Sequence, residues 1–472
     1  MSGYLTCVDG RLVDDDGTRQ LRGIGLGNWL VPEGYMWGLP ATATAPRQIE
    51  GLVAAVLGKA GAARFWDRWR REYVSDIDLA EIAGAGFDHV RLPLSWRLLC
   101  TVDGTLIEDG FLHLDRFIDS CARHGIGVVL DLHAAPGGQT GTNIDDSAGL
   151  PELFFDPHWR KLTVHLWRAI AERYARSTTV LAYDLLNEPL PYHWADDFGD
   201  DLMELYRELT AAVREVDQHH LLMYEGTRWA TDFSGFVGRL DDNSALQFHK
   251  YWSRPDQASL GHFLEVAGRL DVPLYMGEGG ENTLDWNAAA VALYERLGIS
   301  WCTWPYKTIG RSTSLCSILP PTDWTFFTGF ESGRTSAAGR ARAAQALADL
   351  EDRLLTRPEQ LNRPLLCTLM RTPPLRLPAS AFVQASPGVE VRWPENFDFS
   401  GDQDLDTSLE ALVELPAGGA VEYALGAPPG ELTALVAEGE VRIDVVEGVG
   451  DPYRFRVSAD RPALLRAVVV TG

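Results

Sequence analysis

The sequence predicts an α/β protein: a (β/α)8 TIM barrel followed by a C-terminal all-β sandwich domain. Three observations carry that expectation. Short apolar runs alternate eight times with helix-compatible stretches before about residue 355. Those runs are apolar throughout rather than alternating, as in parallel strands covered by helices. Beyond them the composition turns Pro- and Arg-rich, then breaks into short β-type runs separated by Gly, Pro and Asp.

The elements justify themselves in order. Asp9-Gly10 and Asp16-Gly17 flank short alternating runs and predict a small hairpin ahead of the main fold. Strands are expected at 21–26, 87–93, 127–133, 180–186, 220–226, 245–251, 272–278 and 299–305. Between them SDIDLAEIAGAG (75–86), LDRFIDSCARHG (114–125), WRKLTVHLWRAIAERYA (159–175) and DLMELYRELTAAVREVD (201–217) read as helices, several with Asp or Ser at the start and Gly at the end. A doubly wound open sheet is the structural rival. The catalytic barrel with its hairpin is assigned to 1–355, a connecting segment to 356–380, and the β-sandwich to 381–472, with runs such as GVEVRWP, EALVELP, AVEYALG, EVRIDVVEG and ALLRAVVV.

Composition removes several classes of function. The 42 Lys and Arg stand against 66 Asp and Glu, and a net charge of -24 repels phosphate backbones and anionic lipid heads, so no nucleic-acid or membrane partner is expected. The start, MSGYLTCVDGRLVDDDG, lacks a basic segment leading into an apolar one, and no apolar run is long enough to span a bilayer. A cytoplasmic protein is the expectation. The six cysteines form no C-x-x-C pair and read as reduced, buried thiols. Oligomeric state is not written in the sequence.

In such a barrel the side chains at the carboxyl ends of the strands face the substrate. The proposed strands present Arg91, His133, Asn187 with Glu188, His249 with Tyr251, Glu278 and Trp304 there. Each alone has a plain structural reading, as a surface ion pair, a bonded core histidine or simple packing. Their joint placement at six strand ends points instead to one site for a carbohydrate. Two facing carboxylates are what glycosidic cleavage requires, one protonated to donate to the leaving oxygen and one ionised to attack the anomeric carbon. Arg91 and the Tyr251 phenol are expected to hold Glu278 as an anion, and a drier setting beside Asn187 to keep Glu188 protonated. The Asn187 amide suits a sugar 2-hydroxyl, and Pro189 fixes the backbone leaving the strand.

Those eight residues, in this order, resemble the active-site set of glycoside hydrolase family 5, with N-E-P after the fourth strand and a second Glu after the seventh. The resemblance implies a retaining mechanism with Glu188 as acid/base and Glu278 as nucleophile. LRGIGLGNWLVPEG (21–34) and DLHAAPGGQTGTNIDDS (131–147) are similar to the corresponding segments of exo-β-glucanases and β-glucosidases in that family. That likeness implies that Glu33 and Asp145 bind hydroxyls of a terminal sugar and close the groove into a pocket. The expected activity is therefore that of an exo-acting β-glycosidase, foremost a β-glucosidase, on oligosaccharides or glycoconjugates. An endo-β-glucanase, a β-mannanase or β-mannosidase, a glycolipid glucosidase and a non-catalytic carbohydrate-binding protein stay open.

Other signals are set aside. GIGLGN (23–28) looks like a dinucleotide loop, but Pro32 and Gly34 follow where a helix should open. DDDG (14–17) lacks calcium-loop spacing, and neither Asp145 with Asp146 nor His219 with His220 has a third ligand at sensible spacing, so no metal and no cofactor is expected. Trp29, Tyr35, Trp37, Trp229, Trp252 and Trp286 fall in proposed rim loops, where some should stack on sugar rings.

Overall fold

The structure is a computed structural model that describes residues 3–40, 44–142, 144–331, 333–394, 410–446 and 453–472. Eight strands close into a barrel in chain order: Arg22–Gly25, His89–Ser95, Gly127–Ala134, Val180–Asp184, Leu221–Glu225, Ser244–Lys250, Leu274–Gly279 and Ser300–Thr303. Neighbours run parallel where their register is defined, with Gly25 opposite Arg91, Pro93 opposite Asp131, and Glu225 opposite Gln247. Apart from the half-buried Arg22 and Lys250, every strand residue is buried, which is why the sequence runs are continuously apolar. The open-sheet alternative is thereby excluded.

The two N-terminal turn signals build a three-stranded sheet, Thr6–Val8, Arg11–Asp14 and Gly17–Arg19, rather than a single hairpin. Its Leu5 and Leu12 join Leu21, Val129, Leu181, Leu221, Ala245 and Tyr275 in one apolar cluster. These residues lie at or near the amino ends of the strands, so the sheet packs at the end of the barrel opposite the catalytic rim.

The expected helices form at Asp76–Ala85, Glu108–His124, Pro157–Tyr174 and Ala195–Arg214. Asp156 accepts from the amide of His158 at one start, and Gly86 and Gly125 take left-handed conformations at two ends. A further helix, Pro46–Glu72, was not visible in the sequence because Gly58, at φ 74°, breaks its periodicity. Its aromatic face stacks Trp69 on Trp37 (4.6 Å) and on Tyr73 (4.1 Å).

The chain divides into two compact units, one of residues 1–249, 262–277 and 302–361, the other of 250–261, 278–301 and 362–472. The second contains two antiparallel sheets. One carries Leu375–Pro378, Ala463–Val470, Leu412–Leu415 and Glu390–Arg392, with Leu432–Glu438 added on Ala463–Val470; the other carries Gln384–Ala385, Ala420–Leu425, Tyr453–Ser458 and Arg442–Val446. The last two residues of the EVRIDVVEG run lie outside the described residues.

The segment 356–380 is structured rather than merely connecting: it holds the helix Arg363–Met370 and the strand Leu375–Pro378, which pairs with Ala463–Val470. The helix Leu284–Arg296 also belongs to this unit. Its Ala288 and Ala292 enter the sandwich core, and Glu295 and Asp285 form ion pairs with Arg371 and Arg376. Among the described residues no helix is long and apolar enough to cross a membrane. All six cysteines are free, and four are buried.

Candidate active site

Arg91, from the second strand, is wholly buried. Its Nε donates to Asp184 Oδ2 at 2.9 Å, and one terminal nitrogen reaches Asn187 Oδ1 at 2.8 Å, Glu225 Oε1 at 3.2 Å and Asp131 Oδ2 at 3.2 Å. One guanidinium thus faces three buried carboxylates, an arrangement that costs free energy unless a proton is held among them. Burial, reinforced by Glu225, pushes the Asp184 carboxyl well above the usual range despite Arg91.

This polar floor sets the residues above it. Asp131 holds His133 Nδ1 at 2.8 Å, and His133 Nε2 lies 3.5 Å from the Asn187 amide nitrogen. The Asn187 carbonyl accepts from Gln139 Nε2 at 3.0 Å. Glu188 follows with φ 41°, a left-handed conformation unusual outside glycine, and its amide donates to Glu225 Oε2 at 2.6 Å. Its carboxyl meets His249 Nδ1 at 2.7 Å. Trp304, after the eighth strand, lies parallel to His133 at 5.6 Å and donates from Nε1 to the Tyr35 hydroxyl at 3.1 Å.

The GIGLGN segment serves that indole. A Cβ on Gly25 would lie 2.3 Å from Trp304 Cε3, and one on Gly27 would lie 2.6 Å from its Cζ2, so both glycines make room for Trp304. At the end of the seventh strand Glu278 accepts from the Tyr251 hydroxyl at 2.8 Å. Exposure runs opposite to the sequence expectation: Glu278 is the buried glutamate, and the Glu188 side chain is 13% exposed.

Two expected contacts take other roles. Asp145 is buried, and its carboxylate accepts from the amides of Gln139 (2.8 Å), Thr140 (2.7 Å) and Ser147 (2.8 Å), so it staples its own loop rather than facing a sugar. Trp29 is buried and donates to the Arg70 carbonyl at 3.1 Å. Trp37 and Trp286 are buried as well, whereas Tyr35, Trp229 and Trp252 are partly exposed. Glu33 sits buried at the start of the Gly34–Trp37 turn.

Neither imagined metal pair is available for an ion: Asp146 pairs with Arg47 and Arg97, and His220 is held by Asp217 and the Ser177 carbonyl. Asp131, Asp184, Glu225 and Gln247 were missed by the strand-end reading. Their signal was a polar residue inside an otherwise apolar strand.

Comparisons with known proteins identify the family. Residues 49–309 match the model of the cellulase family, glycosyl hydrolase family 5. A β-xylosidase of Phanerodontia chrysosporium is 34% identical over 254 residues, 52% of each chain. An endoglucanase C of Acetivibrio thermocellus is 32% identical over 38% of this chain and 50% of its own. A glucan 1,3-β-glucosidase of Blumeria graminis is 31% identical over 48% and 54%. The chain spans about half the length of these curated relatives. Among solved structures, an endogalactoceramidase superposes with a TM-score of 0.53 at 18% identity over 99% of this chain and 100% of its own, which shows the shared fold.

Proposed function

Because the chain belongs to glycosyl hydrolase family 5, we propose that it is a retaining, exo-acting β-glycosidase, foremost a β-glucosidase. The observation that carries this reading is the pair of glutamates after the fourth strand and at the end of the seventh, Glu188 hydrogen-bonded with His249 and Glu278 accepting from Tyr251. A double displacement needs the two carboxyls about 5–5.5 Å apart, whereas an inverting enzyme leaves a wider gap for water.

In the first step Glu188 protonates the glycosidic oxygen as a Glu278 oxygen bonds to the anomeric carbon, and the aglycone leaves as an alcohol. In the second, Glu188 takes a proton from water, the hydroxide attacks the same carbon, and Glu278 is freed as a carboxylate. The exposure of Glu188 suits a group that must meet a leaving group arriving from solvent. Buried Glu278, beneath the ring, needs only to reach carbon. Asn187, oriented by Arg91, would hold the 2-hydroxyl, and Trp304 would floor the sugar. Glu33 supports the exo reading.

A second reading concerns the aglycone. Loops after the third to fifth strands expose Leu150, Phe155 and Tyr192, the last 60% exposed and four residues beyond Glu188, under the Arg228 guanidinium at 5.6 Å. The same loops carry a partly exposed Trp229 at φ 63°. Apolar rings on the acid/base side favour an amphiphilic glycoside, such as a glycolipid, over a polymer. A panel of aryl β-glycosides, cellobiose, β-glucan and an alkyl or ceramide glucoside, with NMR of the first anomer, tests all of this. Release of the α-anomer first from a β-linked substrate would refute retention. Falling polymer viscosity without early monosaccharide would refute the exo mode, and full activity after EDTA is expected.

A further inference from the structure

Glu225 ends the fifth strand, is wholly buried, and belongs to no part of the reaction described above. Its surroundings are crowded with charge and with donors. Oε1 takes hydrogen bonds from Arg91 at 3.2 Å and from Gln247 Nε2 at 2.6 Å, and lies 3.3 Å from His249 Nε2. Oε2 accepts from the Glu188 amide at 2.6 Å. Its own amide and carbonyl are both bonded to the Tyr206 hydroxyl, at 3.3 and 2.8 Å, which fixes the strand end.

Countercharge for Arg91 does not explain this carboxylate, because Asp131 already flanks the guanidinium at 3.2 Å. A third buried acid beside one arginine is a cost, and a cost of this kind is kept where it does something else. What it does is visible in its other contacts. Glu225 reaches Glu188 twice: directly at the backbone amide, and through His249, whose Nδ1 meets the Glu188 carboxyl at 2.7 Å while Nε2 faces Glu225.

The backbone contact matters because Glu188 and Leu190 both hold positive φ, at 41° and 52°, a conformation that persists when its surroundings fix it. Leu190 is fixed from both sides, its amide on the Gln139 carbonyl at 3.1 Å and its carbonyl on the Arg228 amide at 2.8 Å. Glu225 supplies the equivalent hold on Glu188. The neutral donor Gln247 links it to Asp184 as well, at 2.8 Å.

We propose that Glu225 is the positioning residue of the acid/base, fixing the Glu188 backbone through its amide and bracing the Glu188 carboxyl through His249. This rests on the reading of Glu188 as acid/base. No covalent step is added. Glu225 acts through its neighbours and keeps the donating oxygen aimed at the glycosidic bond, a setting in which a shift of about 1 Å costs on the order of 100-fold.

The test uses the full chain and three variants, Glu225→Gln, His249→Gln and Glu188→Ala, with a series of aryl β-glucosides running from acidic phenols to poor alkyl leaving groups. Glu225→Gln should lower kcat/KM about 10- to 100-fold for poor leaving groups, with little change for 2,4-dinitrophenol. For the activated substrate kcat and KM should fall together, because a misplaced Glu188 is also the base of the second step, and His249→Gln should steepen the leaving-group dependence in the same direction. Equal losses across the series in Glu225→Gln, with Glu188→Ala still discriminating, overturn the positioning role while leaving the acid/base reading intact. No discrimination in Glu188→Ala overturns the acid/base reading itself. If Glu225→Gln does not fold, His249→Gln decides, since it cuts one of the two links and leaves the Arg91 contacts in place.

Discussion

Gly25→Ala adds one methyl to the first barrel strand and should cost activity out of proportion to its size. The new Cβ would lie 2.3 Å from Trp304 Cε3 and 2.9 Å from Cζ3, whereas ordinary contact begins near 3.4 Å. The indole must therefore retreat by about 1 Å, which a closed strand cannot do in its place. Two contacts go with it: the parallel stack on His133 at 5.6 Å and the Nε1 bond to Tyr35 at 3.1 Å. Overpacking of this kind costs about 1–3 kcal/mol of stability. A 1 Å misplacement at the sugar floor costs on the order of 100-fold in kcat/KM. Urea unfolding and steady-state kinetics on an aryl β-glucoside measure the two losses. Adding Trp304→Ala should restore stability and show strong non-additivity in a double-mutant cycle. A Gly25→Ala enzyme within twofold of the parent kcat/KM, or strictly additive losses in the cycle, would refute the argument that this glycine exists to seat the indole.

Glu278→Ala should abolish turnover while sugar binding, followed by calorimetry, survives; undiminished activity would remove its nucleophilic role. Glu188→Ala should lose about 100- to 10,000-fold on poor leaving groups and far less on activated aryl glycosides. Arg91→Met leaves Asp131, Asp184 and Glu225 buried without their cation and should cost about 3–5 kcal/mol in urea unfolding, so a loss below about 1 kcal/mol would count against the network. Burial pushes the His89 imidazole down to about 3, beneath the Tyr275 hydroxyl at 2.6 Å, so the folded chain resists a proton that the unfolded chain takes up near pH 6.5. Stability should therefore fall as pH drops from 6.5 toward 3, by up to on the order of 4 kcal/mol from this group, and His89→Gln should flatten that slope. An identical pH slope in the variant would show that carboxylates alone set it.

Much of the frame was legible because fully buried parallel strands write themselves as unbroken apolar runs, and each of the eight appears within two residues of its expected ends. The rim residues were legible because they interrupt those runs at one end. Asp145 misled, since a carboxylate in a Gly-rich loop looks the same whether it faces substrate or its own amides, and three amides decided the matter. Trp29 and Trp37 read as rim aromatics because the helix that buries their neighbourhood, Pro46–Glu72, was hidden by Gly58 and Gly61. The segment 356–380 looked like a linker from its prolines, yet Pro364 opens a helix and Pro378 ends a strand, positions where a missing amide costs little.

The interior polar floor was the least legible part, and its energetics separate folding from function. Asp131, Asp184 and Glu225 sit inside strands that bury mostly apolar side chains, so for folding alone an apolar set of similar volume would serve as well or better. Removing Arg91 by itself strands three acids. Removing the cluster together, as Arg91→Met with Asp131→Leu, Asp184→Leu and Glu225→Met, removes the stranded charge as well as the bonds. The concerted variant should therefore be no less stable than Arg91→Met, and more stable by a margin of about 1–4 kcal/mol, while losing activity through the freed Asn187, His133 and Glu188. A concerted variant less stable than the single one would show that these charges hold the barrel together rather than aim its rim.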